Sequence, residues 1–188
     1  MRILATSIPD VAIIEIDRFD DDRGSFAETY DAAKFRALGV NATFVMDAWS
    51  VNRRRGTIRG LHCQIPPRAQ AKLVRVARGG IFDVIVDLRR DSPTFGKHVA
   101  LELDARAMRQ VYIPAGFAHG FCTLEPDTEV VYKLSDHYSP AHESGVRWND
   151  PALGITWPVG PEDAVVSDKD ARLPLLKDLP PIFGDERR

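Results

Sequence analysis

Two histidines carry most of the chemical interest of this chain. His62 closes the run Arg59-Gly60-Leu61-His62, and His119 closes Pro114-Ala115-Gly116-Phe117-Ala118-His119. Both arrive on β-like segments, and neither has a second histidine beside it. Gln64 stands where a metal-binding barrel would carry the second histidine of a His-x-His pair. A lone imidazole on a strand makes a good base and a poor metal cage. The pattern therefore points to proton chemistry, with no metal and no cofactor.

Other side chains extend that chemistry. Lys72 shares a face with Val74 and Val76 if its segment is a regular strand. A lysine there is costly unless it lines a cavity or reaches solvent along its stem. Tyr132 falls in phase with Val130 and Leu134, on a face that reads as buried, and its hydroxyl then needs a partner. Ser167-Asp168-Lys169-Asp170 reads locally as a helix start capped by Ser167. Each residue taken singly has a plain structural reading: core tyrosine, end-of-strand lysine, ordinary cap. Together they offer a base (His62), a phenol (Tyr132), an amine (Lys72), carboxylates (Asp170, Asp83) and arginines (Arg23, Arg59). That set suits removal of a proton next to a carbonyl. Such a reaction needs a base near neutrality, a donor for the enolate and an acid on the opposite face.

The elements that must position these groups are mostly strands. One helix is expected over Asp31 to Leu38, ended by Gly39. Lys72 to Arg78 alternates and turns at Gly79-Gly80. Ile81 to Leu88 is a nearly continuous apolar run, and Val99, Leu101 and Leu103 alternate again. Gln110 to Ile113, Gly120 to Leu124 and Glu129 to Leu134 complete the series, with a sharp turn expected at Pro114 and Gly116, ahead of His119. Short strands at this spacing predict an all-β antiparallel sandwich or jelly roll with a few short helices. Residues 1–188 read as one domain, with 135–188 as a tail that wraps the barrel or folds into short helical turns.

The bulk properties agree. A chain of 188 residues, 44% hydrophobic and 28% charged, suits one domain with a sizeable core. A net charge of −2 implies no general nucleic-acid affinity. The cluster Arg53, Arg54, Arg55 and Arg59 reads as a site for a small anion or as a solvated loop. Cys63 and Cys122 read as buried thiols in a reducing compartment. No apolar run approaches membrane-spanning length, and Met1 to Pro9 lacks the apolar core of a signal peptide. These features predict a cytoplasmic protein without membrane contact.

The chain resembles the dTDP-4-dehydrorhamnose 3,5-epimerases. The resemblance rests on Asp22-Arg23-Gly24, Arg59-Gly60-Leu61-His62, Ala71-Lys72-Leu73-Val74, Gly80-Ile81-Phe82-Asp83-Val84 and Ile113 to Phe121. It continues through Val131-Tyr132-Lys133, Tyr138-Ser139-Pro140, Glu143, Trp148-Asn149-Asp150-Pro151 and Ser167 to Asp170. It implies a cupin-type jelly roll, a homodimer with N-terminal strands exchanged, no metal, and a nucleotide-linked 4-keto-6-deoxyhexose as substrate. It also implies roles. His62 is the base, Asp170 its partner in a dyad, Tyr132 the acid and Lys72 the enolate stabiliser. Arg23, Glu28, Arg59, His119, Glu143 and Lys169 contact the nucleotide sugar, and Phe26 and Tyr138 pack or stack on it. The family commonly carries Gln-Asp-Asn before a Ser-Arg-Ser stretch. Here Asp47-Ala48-Trp49 precedes Ser50 to Arg55, so Asp47 and Trp49 are expected at the nucleotide, with Trp49 stacking on a base.

Several readings stay open at this stage. Inversion at C3, at C5 or at both fits the residue set. So does an epimerase or ketoisomerase acting on a CDP- or GDP-linked sugar. A non-catalytic sugar-binding cupin has no use for an acid facing a base, and a metal-dependent cupin lacks its ligands at Gln64.

Overall fold

The computed structural model describes residues 1–183, so the last five residues of the expected 135–188 tail lie outside the described residues. The strands are β1 (Arg2–Ala5), β2 (Ala12–Glu15), β3 (Phe19–Asp21), β4 (Gly24–Phe26), β5 (Met46–Asn52), β6 (Ile58–Gln64) and β7 (Lys72–Arg78). They continue with β8 (Gly80–Asp87), β9 (His98–Asp104), β10 (Arg109–Ile113), β11 (Phe117–Thr123), β12 (Thr128–Leu134) and β13 (Glu143–Gly145). Two short helices accompany them, α1 (Ala32–Ala37) and α2 (Asp168–Ala171).

A six-stranded sheet in the order β1-β2-β10-β7-β12-β5 faces a five-stranded sheet in the order β13-β6-β11-β8-β9. Every pairing within them is antiparallel. Between the sheets Val74, Val76, Val111, Ile113 and Val130 meet Ile81, Ile85, Val99, Phe117 and Phe121. The chain is thus all-β and jelly-roll-like, with its main core inside the sandwich.

The outer faces explain the apolar runs. β8 sends Ile81 and Ile85 into the sandwich, while Val84 and Val86 point outward. Those outward residues lie under Val146, Leu153, Leu179 and Phe183 of the C-terminal segment. With both faces covered, the strand cannot alternate. α1 seals the other sheet by seating Phe35 with Ile14, Val40 and Leu73. Asp31 caps this helix by accepting from the amides of Ala33 and Lys34. Cys63 and Cys122 are both free and buried. No helix among the described residues is long and apolar enough to cross a membrane.

Two expectations need correction. The strand expected from Gly120 begins earlier: β11 starts at Phe117, includes His119 and stays in unbroken register with β8 through Thr123. The sharp turn lies where Pro114 and Gly116 predict it, and Gly116 adopts φ 98°. The N-terminal half also holds more strand than its pattern suggests. β1 and β2 complete their own chain's six-stranded sheet along β10. β3 and β4 form a separate exposed hairpin.

Candidate active site

The sandwich opens into a cavity of about 520 Å3, lined by Ala48, Trp49, Ser50, Arg59, His62, Lys72, His119, Phe121, Tyr132, Tyr138, Ser167, Lys169 and Asp170. A smaller apolar chamber of about 210 Å3 adjoins it, sharing Ala48, His62, Lys72, Tyr132 and Tyr138. Glu143, Cys63 and Leu134 belong to that second chamber. Residues from strands, a loop and a helix far apart in sequence therefore converge on one space.

His62 projects from β6 in the five-stranded sheet. Its Nε2 lies 2.8 Å from Oδ1 of Asp170, which α2 carries across 108 residues of sequence. The other Asp170 oxygen accepts from the Gly60 amide at 2.9 Å. Ser167 holds the start of α2 by accepting from the Asp170 amide. Burial pushes the Asp170 carboxyl up. The hydrogen bonds from His62 and the Gly60 amide outweigh burial and hold it below the ordinary aspartate range. An ionised Asp170 fixes Nε2 of His62 as a donor and leaves Nδ1 with its lone pair free. Gly60 is required here. Its φ is +116°, and a Cβ would come within 2.6 Å of the His119 carbonyl oxygen. β6 can approach β11 only without a side chain at this position.

Tyr132 projects from β12, in the sheet opposite His62. Its hydroxyl lies 3.2 Å from Ser50 Oγ. Burial pushes its phenol far above the ordinary tyrosine range, so it is protonated at neutral pH. Asn52 donates to Ser50 and accepts from Arg59 Nε at 2.7 Å. These two β5 residues were not identified from sequence. The signal lies in β5 itself: Ala48, Ser50 and Asn52 occupy alternate, inward positions.

Lys72 leaves β7 and crosses the sandwich to donate to the His62 carbonyl oxygen at 2.9 Å. Burial holds its proton affinity below the ordinary lysine range, and Cys63, Asp83 and Glu143 offset that only in part. His119 is the cross-strand neighbour of His62, and its Nε2 lies 2.7 Å from Asp83 Oδ1. Glu143 receives Tyr138 at 2.8 Å and Lys169 at 2.6 Å, which ties the mouth of the cavity together. Gln64 is structural. It donates to the Arg68 and His137 carbonyls and accepts from the Ser139 amide. No group of three His, Cys, Asp or Glu side chains among the described residues is arranged to hold a metal ion.

Four expected contacts lie away from the cavity. Asp47 sits on the outward face of β5 and pairs with Lys133 at 2.9 Å, since strand alternation sends its neighbours Ala48 and Ser50 inward. Arg23 pairs with Asp21, and Glu28 with Lys34. Phe26 is 71% exposed. All three belong to or follow the β3–β4 hairpin, and none lines the cavity of its own chain.

An imidazole and a protonated phenol on facing sheets, with the Lys72 amine beside the imidazole's own backbone, can remove and return a proton on carbon. Comparison with known proteins bears on which carbon. The family model described as dTDP-4-dehydrorhamnose 3,5-epimerase matches residues 5–178. The dTDP-4-dehydrorhamnose 3,5-epimerase of Salmonella typhimurium is 48% identical over 179 residues, covering 94% of this chain and 96% of that one. The crystal structure of the Bacillus anthracis enzyme of that name, with TDP and PPi bound, superposes with a TM-score of 0.90 at 49% identity. That match covers 93% of this chain and 98% of the other. A dTDP-6-deoxy-D-glucose-3,5-epimerase from Legionella pneumophila, in complex with dTDP-4-keto-L-rhamnose, also gives 0.90, at 41% identity. It covers 95% of this chain and 94% of its own. This chain belongs to the dTDP-4-dehydrorhamnose 3,5-epimerase family, a family of sugar isomerases.

Proposed function

We propose that the protein inverts C3 and C5 of a dTDP-linked 4-keto-6-deoxyhexose in deoxysugar or surface-polysaccharide synthesis. The observation that carries this reading is the opposition of His62 and Tyr132 across one cavity. Nδ1 of His62 takes the proton beside the C4 ketone, while Asp170 stabilises the imidazolium that forms. The enolate oxygen is met by the Lys72 ammonium in a partly dry pocket, where such a charge acts strongly. Tyr132 then delivers its proton to the other face, and the centre is inverted. Arg59 and Lys169 meet the pyrophosphate charge, and Tyr138 offers a ring to the base.

The test is incubation with dTDP-4-keto-6-deoxyglucose in heavy water, read by NMR. Deuterium is expected at both C3 and C5. Exchange at one carbon alone would reduce the activity to a mono-epimerase, and exchange at neither rejects the reading for this sugar. Ser50→Ala serves as a finer probe. Removing one hydrogen bond to the phenol is worth about 0.5–1.5 kcal/mol, or roughly a two- to thirteenfold drop in kcat with KM unchanged. An unaltered kcat would exclude Ser50 from orienting Tyr132.

The chain acts, in this reading, as a single domain within a homodimer in the cytoplasm. The support is the β3–β4 hairpin, whose Phe19 and Phe26 are 64% and 71% exposed. Large exposed aromatics on an extended arm suit a partner's surface. Arg23, Phe26 and Glu28 would then complete the cavity of the other subunit. Arg23→Ala and His62→Ala proteins should each be inactive alone. Mixed and refolded together, they should recover about a quarter of wild-type activity, because one site in half of the dimers is intact. No recovery, with dimers present in solution, would show that the arm serves its own chain.

A further inference from the structure

Asp83 and Asp87 both lie on β8 and are wholly buried, but they are satisfied very differently. Asp87 receives Arg89, Ser92 and Thr94 through its two oxygens. Asp83 receives only His119 Nε2 on Oδ1, and its Oδ2 has no partner among the described residues. A buried carboxylate oxygen left without a donor is costly unless nearby charge offsets it. The charges around it are specific. Lys72 of β7 and Tyr132 of β12 both lie within the field of Asp83. Lys72 also feels Glu143 of β13, and Tyr132 feels Arg59 of β6, while burial pushes the Cys63 thiol up to about 11 and leaves it uncharged.

The two histidines form a matched pair. His62 and His119 are opposite one another on β6 and β11, and each commits Nε2 to a carboxylate. Each therefore leaves Nδ1 for the cavity. In the tautomer that donates Nε2–H to Asp83, His119 carries a lone pair on Nδ1. Such a ring accepts a hydrogen bond and cannot serve the enolate as a donor.

We propose that Asp83 is a positioning residue of this reaction. It fixes His119 so that Nδ1 accepts from a hydroxyl of the hexose, and it supplies the buried negative charge that balances the Lys72 ammonium. The inference rests on the function proposed above and adds to it a second carboxylate–imidazole pair with a different task. His62–Asp170 moves a proton, whereas His119–Asp83 holds the sugar and sets the electrostatics.

The sign of the pH effect follows. The charge of Asp83 favours the protonated forms of both Lys72 and Tyr132. Both protons are needed, one to meet the enolate and one to be delivered. Without Asp83 both groups lose their protons at lower pH, and the alkaline limb of kcat moves down.

The experiment compares wild type with Asp83→Asn by heavy-water exchange and by kcat and KM across pH. Expected are a fall in kcat of about 100-fold, a KM within about threefold of wild type, and an alkaline limb lower by about one pH unit. A kcat equal to wild type overturns the proposal. So does a reduced kcat whose alkaline limb has not moved, which is the result a merely structural role would give. If Asp83→Asn does not fold, the wild-type protein with 15N-labelled histidine decides by ring-nitrogen NMR. His119 is expected as the neutral Nε2–H tautomer, and an unprotonated Nε2 overturns the proposal. Failure of the wild type to exchange deuterium would strike the function itself. A wild type that exchanges beside an unimpaired Asp83→Asn would strike only the role of Asp83.

Discussion

Replacing His62 with alanine is expected to lower kcat/KM at least about 1,000-fold and to abolish deuterium exchange at both C3 and C5. That loss corresponds to roughly 4 kcal/mol of transition-state stabilisation. The reason is local. Nδ1 of His62 is the free ring nitrogen of a dyad whose Nε2 is held by Asp170 at 2.8 Å. The other groups nearby are unsuited to the task. Lys72 donates to the His62 carbonyl oxygen, and Tyr132 is protonated because burial opposes its phenolate. Folding should survive the change. Asp170 retains the Gly60 amide, and Ser167 still caps α2. Binding of dTDP, measured by calorimetry, should therefore stay within about threefold of wild type, because His62 meets the hexose and not the nucleotide. Exchange at the wild-type rate in His62→Ala would remove His62 as the base.

Tyr132→Phe should separate two events that wild type couples. Net epimerisation is expected to fall about 100- to 1,000-fold, while exchange of the abstracted proton persists at a measurable rate. The ring of Tyr132 stays against the ring of His119, 6.5 Å away between centroids, so the pocket keeps its shape. Only the hydroxyl and its contact to Ser50 are lost. The base on the other sheet can still take a proton and give back deuterium to the same face, which marks the substrate without inverting it. One group serving both faces would instead lose exchange and inversion together. Inversion at the wild-type rate in Tyr132→Phe would assign the acid to another residue.

Much of this site was legible in the chain because strand alternation is a strong constraint. Lys72 in phase with Val74 and Val76 pointed inward, and the structure buries it at the cavity wall. Tyr132 in phase with Val130 did the same. Alternation failed where both sides of a strand are covered. β8 is apolar on one face against the sandwich core and on the other against the C-terminal segment, so its pattern marks Asp83 as a break in an apolar run without saying which face it takes. The partnership of His62 with Asp170 could not come from local pattern at all. It depends on α2 returning to β6 over 108 residues. Ser50 and Asn52 give no such signal because β5 is an edge strand whose inward face carries them and whose outward face carries exposed Trp49 and Val51. That inversion of the usual order is itself the mark of a strand facing a ligand. The same alternation explains why Asp47 looks away from the cavity. The hairpin strands β3 and β4 span three residues each and are exposed throughout, too short and too polar to declare themselves.

The most direct test of base and acid on opposite faces is a crystal structure of Tyr132→Phe with a dTDP-linked 4-keto-6-deoxyhexose bound. Nδ1 of His62 is expected within about 3.5 Å of C3 or C5 on one side of the ring, with the residue-132 side chain against the other side. A hexose with both side chains on one face, or seated away from His62, would contradict the mechanism.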